Sequence, residues 1–146
     1  MLGNIYLTDT GKEFMQGDDA SNSLINFCIF SFDSVNPKVV FTAAVVLFNH
    51  ILTFKRDKSV LKEPLERALT KINQVITDPL LTDIEALMGL LLCECRIIYQ
   101  NKHAFEFIIN QSEPNFKKNH DTLKTRVANP KIKEAVNDVL IMLFDD

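Results

Sequence analysis

The sequence predicts an all-α fold, an armadillo/HEAT-like right-handed α-solenoid of about three repeats. Two features of composition and one of spacing lead there. The 146 residues carry four glycines and five prolines, few of the turn signals that a sheet protein needs. With 47% hydrophobic and 24% charged residues, residues 1–146 read as a single domain with enough apolar side chains for a core. Three long apolar stretches begin near Pro37, Asp83 and Pro130, each preceded by one or two shorter amphipathic ones. Their period is roughly 45 residues, within the HEAT and armadillo range. Units of that kind cannot bury their own faces and therefore stack; the competing arrangement is an irregular helical bundle.

Taken in order, residues 1–19 form a poorly defined lead-in, with a short helix over Thr10 to Met15 ended by Gly17. Ser21 or Asn22 is expected to cap a helix from Ser23 to about Phe32, whose Phe27, Ile29, Phe30 and Phe32 demand a packing neighbour. The central stretch from Asn36 to Phe54 supplies it. Asn36 is a good N-cap, and Pro37 suits the first helical position, where a missing N–H costs nothing. Apolar residues then run round the cylinder, so this helix is expected to be buried on nearly every side. It is too long for an ordinary strand and too short for a membrane span.

After a polar turn at Asp57 to Ser59, an amphipathic helix runs from about Leu61 to Ile76, with Pro64 confined to its first turn. Leu65, Ala68, Leu69, Ile72, Val75 and Ile76 make its buried stripe, while Lys62, Glu66, Arg67, Lys71 and Asn73 face outward. Asp78-Pro79 breaks the chain. Thr82 and Glu85 stand at the capping-box spacing, and a second apolar helix reaches about Tyr99. A shorter helix is expected over Lys102 to Ile109, then a polar and basic segment from Gln111 to Ala128, mainly loop with room for one helix. Asn129-Pro130 repeats the Asn36-Pro37 device and opens the last helix, which carries Ile132, Val136, Val139, Leu140, Ile141, Leu143 and Phe144.

A net charge of −3 gives no general attraction to nucleic acid or to an anionic membrane, so neither is expected as a partner. Three cysteines, an odd count with Cys93 and Cys95 two apart, do not suggest a disulfide framework and fit a reducing compartment. They read as small buried hydrophobes. Met1-Leu2-Gly3-Asn4 has neither the basic start nor the apolar core of a signal peptide. His50, His103 and His120 are scattered, with no pair at the four-residue helical spacing of a metal site, and His50 reads as a hydrogen-bonded interior or groove residue. With no Gly-rich phosphate loop and no nucleophile elbow, the expectation is a non-enzyme without cofactor or metal.

The segments Asn36 to His50, Ile84 to Leu92 and Pro130 to Val136 resemble the C-terminal PUL domain of the phospholipase A2-activating-protein family. The resemblance covers most of residues 20–146 and rests on patterns of apolar and small polar residues. It implies an armadillo-like array that binds the acidic C-terminal tail of the AAA ATPase valosin-containing protein, in ubiquitin homeostasis and proteasomal degradation, in cytoplasm and nucleus. It also implies that the chain enters that array part-way, holding roughly its C-terminal half. The N-terminal helices are then expected to expose apolar surface or to self-associate. The alternative role is a structural cap on a longer solenoid, with binding carried elsewhere.

In such an array one helix of each repeat lines a concave groove, where Asn and Arg side chains bond an extended acidic peptide. Polar groups on the apolar helices mark that groove as Asn49, Thr53 and Arg56 on the first, Arg96 and Gln100 on the second, and Lys133 and Asn137 on the last. Thr42, Glu85 and Gly89 fall on the same stripes. Asn49 suits the groove or an interior hydrogen bond equally; Arg56 and Arg96 favour the groove, because an unpaired guanidinium is rarely buried. A basic stretch with Lys117, Lys118, Lys124, Arg126, Lys131 and Lys133 is either solvated surface, an electrostatic guide beside the groove mouth, or, standing apart, a nucleic-acid- or phospholipid-binding patch, although no aromatic interleaving supports stacking on bases.

Overall fold

The computed structural model describes residues 18–53, 62–100 and 115–144, and the regular structure among them is helical throughout. Six helices follow in order: α1 (Asp18–Ser31), α2 (Pro37–Leu52), α3 (Lys62–Val75), α4 (Ile84–Gln100), α5 (Phe116–Arg126) and α6 (Pro130–Phe144). The helices expected over Thr10 to Met15 and Lys102 to Ile109, and the turn at Asp57 to Ser59, lie outside the described residues.

The helices stack in a solenoid-like way. α4 lies between α2 and α6 in one layer, and α1, α3 and α5 back that layer. α1 packs on α2 and α3, α3 on α4 and α5, and α5 on α6. The outcome is three helix pairs set side by side, with α2, α4 and α6 beginning at Pro37, Ile84 and Pro130 as the spacing predicts. Each of these three starts with the same device. Asn36 Oδ1 accepts from the Lys38 N–H at 3.0 Å, Asp83 Oδ2 from Ala86 at 2.9 Å and Asn129 Oδ1 from Lys131 at 2.9 Å. On α4 the cap is therefore Asp83, one residue after the expected Thr82, and its carboxylate adds a favourable charge at the helix N-terminus.

The core is continuous through all six helices. Phe32, Leu47, Ile51, Leu87, Leu90 and Leu91 are among its fully enclosed side chains, each worth about 1.5–3 kcal/mol of burial. Three sequence expectations are corrected. α1 starts at Asp18, so Ser21 sits inside the helix instead of capping it, and its buried hydroxyl lies 3.1 Å from His50 Nε2. α2 is not buried all round: Val39, Thr42, Val45, Asn49 and Leu52 form a solvent-facing stripe, because only α1 and α4 press extensively on it. Asn73, expected to face outward, is buried, because α5 closes over α3 and Asn119 Nδ2 donates to Asn73 Oδ1 at 3.3 Å.

α2 and α4 approach most closely at Gly89. A Cβ placed there would lie 3.2 Å from Ala44 Cβ and 3.3 Å from Phe41 Cδ1, and the Cys93 thiol donates to the Ala44 carbonyl at 3.4 Å. Gly89→Ala should be close to neutral in urea unfolding, since about 1 kcal/mol of helix propensity offsets the tight contact. Gly89→Leu should lose about 1–3 kcal/mol by overpacking; a Leu variant as stable as the parent would disprove the close approach.

Candidate functional site

The exposed face of the α2–α4–α6 layer holds a groove of about 570 Å³. Phe41, Val45 and Phe48 of α2 form one wall and Ile84, Met88 and Leu92 of α4 the other, with Glu85 and Lys131 at one end. These walls arise directly from the approach at Gly89: where the backbones nearly touch, the large neighbours are turned outward. The aromatic and aliphatic walls were the part that sequence reading passed over, because the same residues also fit a fully buried helix. A second, smaller hollow of about 380 Å³ lies between α1 and α2, lined by Phe27, Cys28, Val39, Thr42 and Val46.

The residues marked by sequence fall into three groups. Asn49 is exposed and stands on the α2 stripe between the two hollows, by its helical spacing from Thr42 and Val45. Thr53 is spent on its own helix end, its hydroxyl donating to the His50 carbonyl at 2.6 Å. Arg96 lies one turn beyond Leu92, on the flank of α4 that carries Gly89 and turns toward α2. Its guanidinium sits over the Tyr99 ring at 5.0 Å, and its Nε is buried without a hydrogen-bond partner. It forms no ion pair among the described residues.

α6 behaves differently. Asn137 accepts from Lys124 Nζ at 3.1 Å, so it faces α5, and Lys133, one turn earlier and exposed, shares that flank. Asn49 and Arg96 are thus brought to the groove layer, whereas Lys133 and Asn137 are turned off it, and the α6 side chain at the groove is Lys131. Gln100 ends α4, and Arg56 lies outside the described residues.

The basic stretch is not one patch. Lys117 and Lys118 border an open polar hollow with Asp121, Thr122 and Thr125, Lys124 pairs with Asp121 at 3.3 Å, and Lys131 belongs to the groove. Arg126 has a structural task. Its guanidinium donates to the carbonyls of Ile76 and Leu81, both at 2.9 Å, and of Pro79 at 3.4 Å, closing the α3–α4 turn from the side of α5. These are carbonyls that a helix end and a turn leave open.

The remaining chemistry is buried. His50 is an interior residue. Burial pushes the Cys28 and Cys95 thiols up to about 12, with Glu94 and Asp138 adding to the effect at Cys95, and raises Cys93 as well. The three cysteines therefore act as apolar fillers and not as nucleophiles. Glu94 and His120, which sequence reading did not single out, form a fully enclosed pair at 2.8 Å between α4 and α5. The available signal was a lone carboxylate inside an apolar helix, which requires a cation nearby.

Among the described residues, no group of three or more His, Cys, Asp or Glu could hold a metal ion, and no helix is long and apolar enough to cross a membrane. Comparison with protein-family models, with curated proteins and with solved structures finds no match to this chain.

Arg126→Ala should cost about 1.5–3 kcal/mol in urea unfolding, since charge-assisted bonds to three carbonyls are lost, and Lys should recover only part. An Arg126→Ala variant with unchanged stability would place the guanidinium in solvent instead.

Proposed function

We propose that the chain is a non-enzymatic adaptor module, a right-handed armadillo/HEAT-like array that binds the acidic C-terminal tail of the AAA ATPase valosin-containing protein. Its setting is ubiquitin-dependent protein degradation in cytoplasm and nucleus. The observation that carries this reading is Arg96: a guanidinium held on Tyr99, without an ion-pair partner among the described residues, beside an open groove with apolar walls. Such a site suits a peptide that offers a carboxylate to Arg96 and apolar side chains to Phe41, Val45, Phe48 and Leu92. Asn49 is placed to bond the peptide backbone, and Lys131 to add attraction at the far end.

A second reading, a structural cap on a longer helical solenoid, is favoured by the apolar end of the stack. Phe27 is 55% exposed, Phe30 79% and Val39 40%, beside the hollow between α1 and α2. That surface is suited to stacking against a further helical unit or a second copy.

Titrating the chain with the acidic tail peptide separates the two readings. Arg96→Ala should weaken binding about ten-fold or more, because a charge-assisted contact is worth about 1.5–3 kcal/mol, and Arg96→Lys should recover only part of it. Helical content by circular dichroism should not change. Equal affinity of parent and alanine variant at low salt would remove Arg96 from the site. Absence of binding together with concentration-dependent self-association in sedimentation would favour the capping role.

A further inference from the structure

His120 and Glu94 are both fully enclosed, and each nitrogen of the imidazole faces an oxygen. Nδ1 lies 2.7 Å from the Phe116 carbonyl, which only accepts, so Nδ1 carries a proton. Nε2 lies 2.8 Å from Glu94 Oε2, and that short contact also needs a proton between its two atoms. Imidazole holds a proton more strongly than a carboxylate does, so the pair reads as imidazolium and carboxylate. The Phe116 ring is stacked on His120, centroids 4.2 Å apart, which adds a favourable face for a cation. Glu94 Oε1 has no hydrogen-bond partner, so His120 supplies the pair's only hydrogen bond to this carboxylate among the described residues.

We propose that the His120–Glu94 pair is a proton-operated latch that holds the third helix pair, α5 and α6, against the second. With both ring nitrogens protonated, α5 is tied to α4. When one proton leaves to solvent, a ring lone pair faces either the Phe116 carbonyl or the carboxylate, and Glu94 stays enclosed as an unpaired charge. Buried unpaired charge is strongly unfavourable, so the seam loosens.

The surrounding groups act in the same direction. Burial by itself lowers the proton affinity of His120; the Glu94 charge and hydrogen bond, the Phe116 carbonyl and Asp121 more than offset it, leaving His120 raised above its ordinary 6.5. α3 presents the neutral Asn73 to α5 through Asn119, α6 presents the neutral Asn137 through Lys124, and Asp138 of α6 acts on Cys95. The folded chain therefore binds this proton more tightly than the unfolded chain. Its contribution to stability is complete below pH 6.5 and is lost as pH rises through the raised folded value.

The test uses the full chain. Long-range proton–nitrogen spectra of the His120 ring should show both nitrogens protonated at neutral pH, with a titration midpoint above that of the unfolded chain in urea. Between the two midpoints the unfolding equilibrium constant should rise by up to ten-fold per pH unit. Glu94→Gln should flatten that slope, because an amide satisfies a neutral ring by donating or accepting. A singly protonated ring at neutral pH, a midpoint at or below the unfolded one, or a Glu94→Gln variant that keeps the full slope would overturn the latch. If Glu94→Gln does not fold, the ring titration of the parent chain decides alone.

Discussion

The close approach of α2 and α4 at Gly89 is the constraint on which the other features depend. Ala44 and Gly89 keep the contact thin, so the two backbones come near enough for the Cys93 thiol to reach the Ala44 carbonyl. That places α4 as the shared wall of the stack, with Ala86, Leu87, Leu90, Leu91, Cys93, Ile97 and Ile98 all fully buried. It also decides the surface. When small residues occupy the contact, the large ones beside it are displaced toward solvent, and Phe41, Phe48, Met88 and Leu92 become groove walls. An apolar side chain on a buried helix thus serves the core or the groove according to its angle from the Gly89 contact, not its hydrophobicity.

That explains what the sequence made legible. Helix existence and order followed from apolar runs, caps and prolines, since these are local signals; the starts of α2 and α6 were readable from Asn36-Pro37 and Asn129-Pro130. Burial was less legible because it depends on neighbours. Asn73 resembles an outward polar residue until α5 covers it, and α2 resembles a fully buried helix until one side is found unpartnered. The candidate site was legible at Asn49, Glu85, Gly89 and Arg96, polar or small residues on the stripes of apolar helices, and not at its apolar walls. Arg96 was marked because a guanidinium resists burial, and it stands beside the groove; Lys133 and Asn137 were marked because they continue the polar pattern on the last helix, but the rotation of α6 turns them to α5. Rotation about a helix axis is fixed by packing and not by spacing along one helix.

Polar links are distributed unevenly along the stack. Between the first and second helix pairs, Arg67 to Asn22 at 3.1 Å and Lys71 to Asp33 at 2.6 Å are peripheral, both with an exposed partner, and only the weak Cys93 thiol bond to the Ala44 carbonyl is buried among those seen in the described residues. Exposed pairs of this kind contribute about 0–1 kcal/mol. Between the second and third pairs the links lie deeper: Glu94 with His120 is buried, Asn73 with Asn119 and Arg126 with the Ile76 and Leu81 carbonyls are part-buried, and only Arg126 with the Pro79 carbonyl is exposed. The first seam therefore relies mainly on shape at Gly89, and the second adds directional bonds to the apolar packing of α6 on α4.

The two kinds of seam have different consequences for binding. Apolar contacts tolerate sliding, because one methylene is much like another, whereas a buried hydrogen bond lost to a shift leaves its partner unsatisfied at about 1–3 kcal/mol. Arg126 reaches the second pair from the last turn of α5 and His120 from its middle, which ties the third pair to the second at two points along α5. α6 is carried with it, and so is Lys131 at the groove end. The separation of Lys131 from Arg96 is consequently set by the direct packing of α6 on α4 together with the bonds that α5 makes on the far side of the layer. Under the proposed function, a ligand spanning both cations would depend on that spacing, so a change that loosens the second seam would alter recognition without touching a groove residue.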